Sequence, residues 1–208
     1  MIAMTYKTIK KPASDEIVEK RSRFIGYAKP VKTQEEATEF INEIRSKHFD
    51  ARHNVYAYVI REGGVTRYSD DAEPQGTAGM PVLDCIRKRG ITDCVVVVTR
   101  YFGGILLGAG GLVRAYSAAA KLALDAAGEC EMALCSVCEL SCSYTLYGKL
   151  PSLIANYDGA IDEQDFSDDV KLSFHLPAEN LDRFNEDLRE LSLGKIRATE
   201  NNQSFFEK

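Results

Sequence analysis

Two hydrophobic periods alternate along this chain. In its first half, Ser22-Arg23-Phe24-Ile25-Gly26-Tyr27-Ala28, Asn54–Ile60 and Val65–Tyr68 carry the β-branched and aromatic residues of strands, and residues 5–31 read as extended. The period then lengthens. Thr33-Gln34-Glu35-Glu36 has the form of a capping box, and Ala37, Phe40, Ile41 and Ile44 follow at helical spacing as far as about His48. A second helix is expected from about Pro81 to Lys88, closing at Gly90. Val95-Val96-Val97-Val98 reads as a buried strand. A long alanine-rich helix is expected from about Gly111 to Ala127, ended by Gly128, with Leu112, Tyr116, Ala119 and Ala123 on its core face and Arg114, Ser117 and Lys121 on another.

The pattern changes after Gly128. A strand is expected over 132–144, one helix over 145–156, a hairpin from Ala160–Phe166 and Val170–Leu176, a helix over 179–191 and a strand over 196–206. That order, β-α-β-β-α-β, is the split-βαβ, ferredoxin-like arrangement. Two domains are therefore expected, residues 1–128 and 129–208.

Charge sharpens the division. Residues 1–128 carry 19 basic and 15 acidic residues, a net of +4; residues 129–208 carry 7 and 16, a net of −9. A nucleic-acid face, if there is one, belongs to the first half. The longest apolar runs are too short to cross a bilayer, and Met1–Lys7 lacks the apolar core of a signal peptide, so a cytoplasmic protein with six reduced cysteines is expected.

The densest chemical signal lies between the valine strand and the alanine-rich helix. Five of the twelve residues 103–114 are glycine: Gly103, Gly104, Gly108, Gly110 and Gly111. Arg100 and Tyr101 precede them and Arg114 follows. Glycine density of this kind marks a tight turn or a close backbone approach, and a helix N-terminus between arginines suits an anion. No Gly-Lys-Ser/Thr or G-x-G-x-x-G motif is present. The loop reads as an anion or nucleic-acid contact, with Arg23 added from the aromatic strand; a purely structural turn is the alternative.

A second candidate is the loop Asp70-Asp71-Ala72-Glu73, whose carboxylates could bind a cation or do acid–base work, or could be solvated acids that cap helices and pair with arginines. Of the three histidines, His53 is the one to choose for chemistry; a hydrogen-bonding structural histidine is the alternative. Cys135-x-x-Cys138-x-x-x-Cys142 invites zinc, but it lies on one alternating strand, with Cys138 and Cys142 facing one side and Cys135 the other. Small buried side chains fit that pattern better than ligands. No metal and no cofactor are expected.

Together, Lys20–Ile25, Ala51-Arg52-His53-Asn54, Ser69–Gly79, Val97–Gly104 and Leu112–Tyr116 resemble the YigZ/IMPACT family. One departure is Ala72, where the family usually has glycine. The resemblance implies an α+β protein. Its first domain would have a two-layer α/β fold, as in domain IV of elongation factor G and a small-subunit ribosomal protein. Its second would be ferredoxin-like, similar to that factor's last domain. Eukaryotic relatives regulate translation by binding a large activator of a stress kinase, using an extra N-terminal domain that this chain is expected to lack. The expectation is a non-enzymatic regulator of translation that binds RNA, the ribosome or a translation-associated protein, with oligomeric state left open. The alternative is a hydrolase of a phosphate- or amide-bearing small molecule, using His53, Asp70, Asp71 and Glu73. An adaptor whose acidic second domain holds a basic protein is a third possibility.

Overall fold

In the computed structural model, residues 4–208 are described; residues 1–3, the head of the segment read for a signal peptide, lie outside them. The chain divides into two units, Tyr6–Glu131 and Met132–Lys208 together with the N-terminal residues up to Thr5. It is mixed α+β, with two sheets and six α-helices among the described residues.

The first unit runs β1 (Thr5–Ile9), β2 (Ala13–Glu19), β3 (Ser22–Pro30), α1 (Gln34–Lys47), β4 (His53–Ile60), β5 (Val65–Ser69), α2 (Gly79–Lys88), β6 (Cys94–Tyr101) and α3 (Ala109–Ala127). Its antiparallel sheet has the order β2-β3-β6-β4-β5, which puts the valine strand at the centre. Alternate residues of β6 face opposite sides. Val96 and Val98 join Phe24, Val55 and the inner residues of α2 and α3, whereas Val95 and Val97 join Ile25, Tyr27, Tyr58 and the apolar stripe of α1. Both faces are covered, so the strand is apolar at every position from Cys94 to Val98. This corrects the two-layer expectation: α1 buries Ala37, Phe40, Ile41 and Ile44 on the second face and makes a third layer.

The start of α1 follows the capping pattern, with Thr33 Oγ1 accepting the Glu36 N–H. Helix α3 lies so close to the sheet that a Cβ on Gly26 would stand 2.4 Å from the Ala119 carbonyl oxygen. Helix α2 begins two residues earlier than expected. Its N-cap, Ala78, has no side-chain oxygen to cap with, and Asp70 supplies one from the preceding loop.

The second unit contains β7 (Glu129–Cys142, from Met132 onward), α4 (Tyr144–Tyr147), α5 (Leu150–Asn156), β8 (Ala160–Phe166), β9 (Val170–Pro177), α6 (Leu181–Leu191) and β10 (Thr199–Glu207). The sheet has five strands: β1, whose first residue Thr5 belongs to this unit, then β7, β9 and β8, with β10 also pairing β7; the β10–β7, β7–β9 and β9–β8 pairs are antiparallel. One helix was expected over 145–156 and two are found. Pro151 sits in the first turn of α5, where its missing N–H costs nothing, and it could not sit inside a continuous helix. Cys138, Leu140, Cys142, Leu172 and Phe174 pack against α5 and α6, and Cys135 lies outside that cluster. All six cysteines are free thiols. Burial pushes the Cys94 thiol far up in the first unit, and pushes Cys138 up to about 11 in the second.

Candidate functional site

The acidic loop and the end of the valine strand meet on the α2/α3 face of the first sheet. The β3, β6 and β4 registers set Arg100 between Phe24 and His53. Arg100 is buried at 6% exposure, and its Nη1 donates to Glu73 Oε1 at 2.6 Å. The Tyr116 hydroxyl, from α3, donates to the same oxygen at 2.7 Å. Desolvation, and then the bond to Glu73, push the Tyr116 hydroxyl far up. The Arg100 guanidinium lies over the rings of Phe24 and Phe102, and its Nε is buried without a partner.

The other loop residues are equally committed. Asp70 takes the N–H groups of Gly76, Ala78 and Gly79, so it caps α2. Asp71 Oδ2 accepts the Asn54 N–H at 2.6 Å and Oδ1 pairs with Arg45 at 3.1 Å. His53 Nδ1 hydrogen-bonds the Asp71 carbonyl at 2.8 Å, which leaves Nε2 3.9 Å from Glu73 Oε1. His53 and Glu73 thus converge, while each of the three carboxylates already holds structural partners. Asp71 and Ala72 both have positive φ, at 44° and 66°, which explains why glycine suits position 72.

The loop residues expected to face a ligand divide into two sets. Arg100 is an interior residue whose charge is matched by Glu73, and this corrects its reading as a surface cation. Tyr101, its neighbour on β6, turns to the α1 face. Its hydroxyl donates to Asp50 at 2.9 Å and lies 2.9 Å from His48 Nδ1, and His48 Nε2 lies 2.6 Å from the Tyr27 hydroxyl. The polarity of this chain follows: Nδ1–H donates to Tyr101, and Nε2 accepts from Tyr27. Burial lowers the His48 pKa, with Lys47 adding to the effect.

Arg23 is exposed and pairs with Glu16, whereas Arg114 is exposed on the first turns of α3. Gly103 donates its N–H to Ser22 Oγ, and a Cβ there would fall 2.0 Å from the Arg21 carbonyl carbon. Gly104 and Gly108 take positive φ, Gly108 is the N-cap of α3, Gly110 faces Arg114, and Gly111 packs on Leu107. Tyr116 and His48 are site residues that no sequence motif singles out. Helical spacing puts Tyr116 in the core, and only its hydroxyl distinguishes it from phenylalanine there. His48 carried no signal beyond its place at a helix end.

No group of three or more metal-ligating side chains is found among the described residues, and no described helix is long and apolar enough to cross a membrane. The Impact N-terminal domain matches residues 20–124, which hold the whole Glu73–Arg100–Tyr116–His53 cluster. A domain of unknown function, DUF1949, matches residues 140–195. The IMPACT family member YvyE of Bacillus subtilis (strain 168) is 38% identical over 205 residues, covering 98% of this chain and 94% of its own length. YigZ of Escherichia coli (strain K12) is 35% identical over 181 residues, covering 86% and 89%. A crystal structure described only as a hypothetical protein superposes with a TM-score of 0.63 at 31% identity, over 97% of this chain and 99% of that one. With a domain match across the first unit and near full-length relatives, the chain belongs to the IMPACT family.

Proposed function

We propose that this protein is a non-enzymatic, cytoplasmic regulator of translation that binds RNA or the ribosome through one end of its first unit. The observation that carries the reading is the seat of Gly103 on the Arg21 carbonyl. It brings the glycine loop onto the β2–β3 turn. Exposed Lys20 and Arg21 therefore lie beside exposed Phe102, Ile105 and Leu106, with Arg114 on the helix that follows. Cations mixed with apolar side chains at a helix N-terminus suit a phosphate backbone and its bases. The β-α-β-β-α-β order and the β10-β7-β9-β8 strand order support a ferredoxin-like second domain, as translation factors carry; this is support by analogy of fold.

The test is binding to ribosomal subunits and to short single- and double-stranded RNA across a salt series. Lys20→Asn/Arg21→Gly keeps a two-residue turn whose φ values are already positive, at 45° and 65°, and Arg114→Ala removes the third cation. The triple variant is expected to weaken binding and to lower the salt slope by roughly one for each lost phosphate contact. Binding that ignores both salt and these substitutions refutes the proposal.

A second reading rests on the approach of His53 to Glu73. It would be hydrolysis of a phosphate- or amide-bearing small molecule with His53 as base. Turnover of phosphoester or amide substrates by wild type, lost in His53→Ala, is its expected signature; no turnover by wild type removes it.

A further inference from the structure

Strand β8 ends the second unit's sheet: it pairs with β9 along one side, and among the described residues its other side is unpaired. A free strand edge is a template for another strand. Here the edge has two chemically distinct faces. On one, Glu163 and Asp165 stand with Glu139 around a cavity of about 600 Å³ over the open sheet, three acids against two bases, Lys171 and Arg197, on the same lining. None of these three carboxylates forms an ion pair among the described residues. On the other face, Phe166 and Tyr144 are each 53% exposed and lie 6.3 Å apart, with Tyr147 edge-on to Phe166.

Residues 160–169 contain five acids, Asp162, Glu163, Asp165, Asp168 and Asp169, and no lysine or arginine. Two copies of this edge would repel each other, whereas a basic strand would complement it. The bulge between Ile161 and Glu163, where Asp162 turns to His175, confines regular pairing to Glu163–Phe166. We propose that this edge binds an extended, basic segment of another protein by adding it as a sixth strand beside β8. The segment alternates, with lysine or arginine facing Glu163 and Asp165 and an apolar residue facing Phe166 and Tyr144. The proposal rests on the second unit alone and stands whether or not the first binds RNA.

The experiment uses the full-length chain and a synthetic alternating lysine–valine heptapeptide, with a peptide of the same composition in which lysines and valines are blocked as the control. Fluorescence anisotropy reads affinity, and hydrogen exchange reads which amides become protected. The alternating peptide is expected to bind, to protect amides of Glu163–Phe166, and to bind about tenfold more weakly to Glu163→Lys/Asp165→Lys. Both substitutions are on exposed, unpaired side chains, and an unchanged thermal midpoint verifies the fold. Equal binding of the blocked peptide, protection outside β8, undiminished binding to the variant, or self-association through this edge overturns the proposal.

Discussion

Arg100 and Tyr101 are neighbours on one strand, yet they end in opposite kinds of network. Arg100 faces α3 and joins Glu73 in an ion pair whose two side chains are 7% and 4% exposed. Tyr101 faces α1 and joins a chain that runs from buried Tyr27 and His48 out to the exposed carboxylate of Asp50. The difference is one of commitment. A buried charge without its partner is costly, so the ionic network cannot lose a member. A hydroxyl–imidazole chain that ends on an exposed carboxylate can exchange that last partner for water at small cost. One face of β6 is a strut, and the other carries a titratable chain open to solvent at one end.

Three substitutions break or sharpen that contrast. Glu73→Ala should cost about 3–5 kcal/mol in urea unfolding, because it strands the buried Arg100 and leaves Tyr116 without its acceptor. A loss below about 1 kcal/mol would mean that water reaches Arg100 and that the strut is no strut. Ala72→Gly acts on the loop that carries Glu73, with the opposite sign. At φ 66° the alanine is strained, and glycine should raise stability by about 1 kcal/mol in the same assay. An equal or lower stability would show that the ion pair, and not the bend, limits the loop.

The smallest effect belongs to the α1 face and depends on pH. His48 has a lowered pKa in the folded state against an ordinary value of 6.5, so the unfolded chain takes up the proton first as pH falls. The contribution of His48 is fully present above pH 6.5 and is lost as pH drops from there through the lowered value. The difference in stability between wild type and His48→Gln should therefore shrink across that window. A difference that is flat with pH would show that the Tyr27–His48–Tyr101 chain tolerates the charged ring.

Much of the fold could be read from periodicity, because both faces of the central strand and the stripe of α1 obey simple spacing. The third layer follows from the same residues, since Val95 and Val97 need an apolar partner as much as Val96 and Val98 do. The site was harder to read. Glu73 and Arg100 are 27 residues apart, and only the register of β4 on β6 and the bend at Asp71–Ala72 bring them together. Arg100 next to a glycine loop suggested a surface cation. Counting by two from Val96 and Val98 would have placed it on the α3 side with Phe24. The approach of Gly103 to Arg21 depends on backbone atoms alone, which no side-chain pattern encodes.

The distribution of free thiols gives each unit its own clock. Cys94 and Cys138 are fully buried, one in each core, and burial holds both in the unreactive protonated form. An alkylating reagent can reach them only when the surrounding unit opens. Their modification rates, resolved peptide by peptide, would therefore time the opening of each half of the chain separately, with no label added and no residue changed.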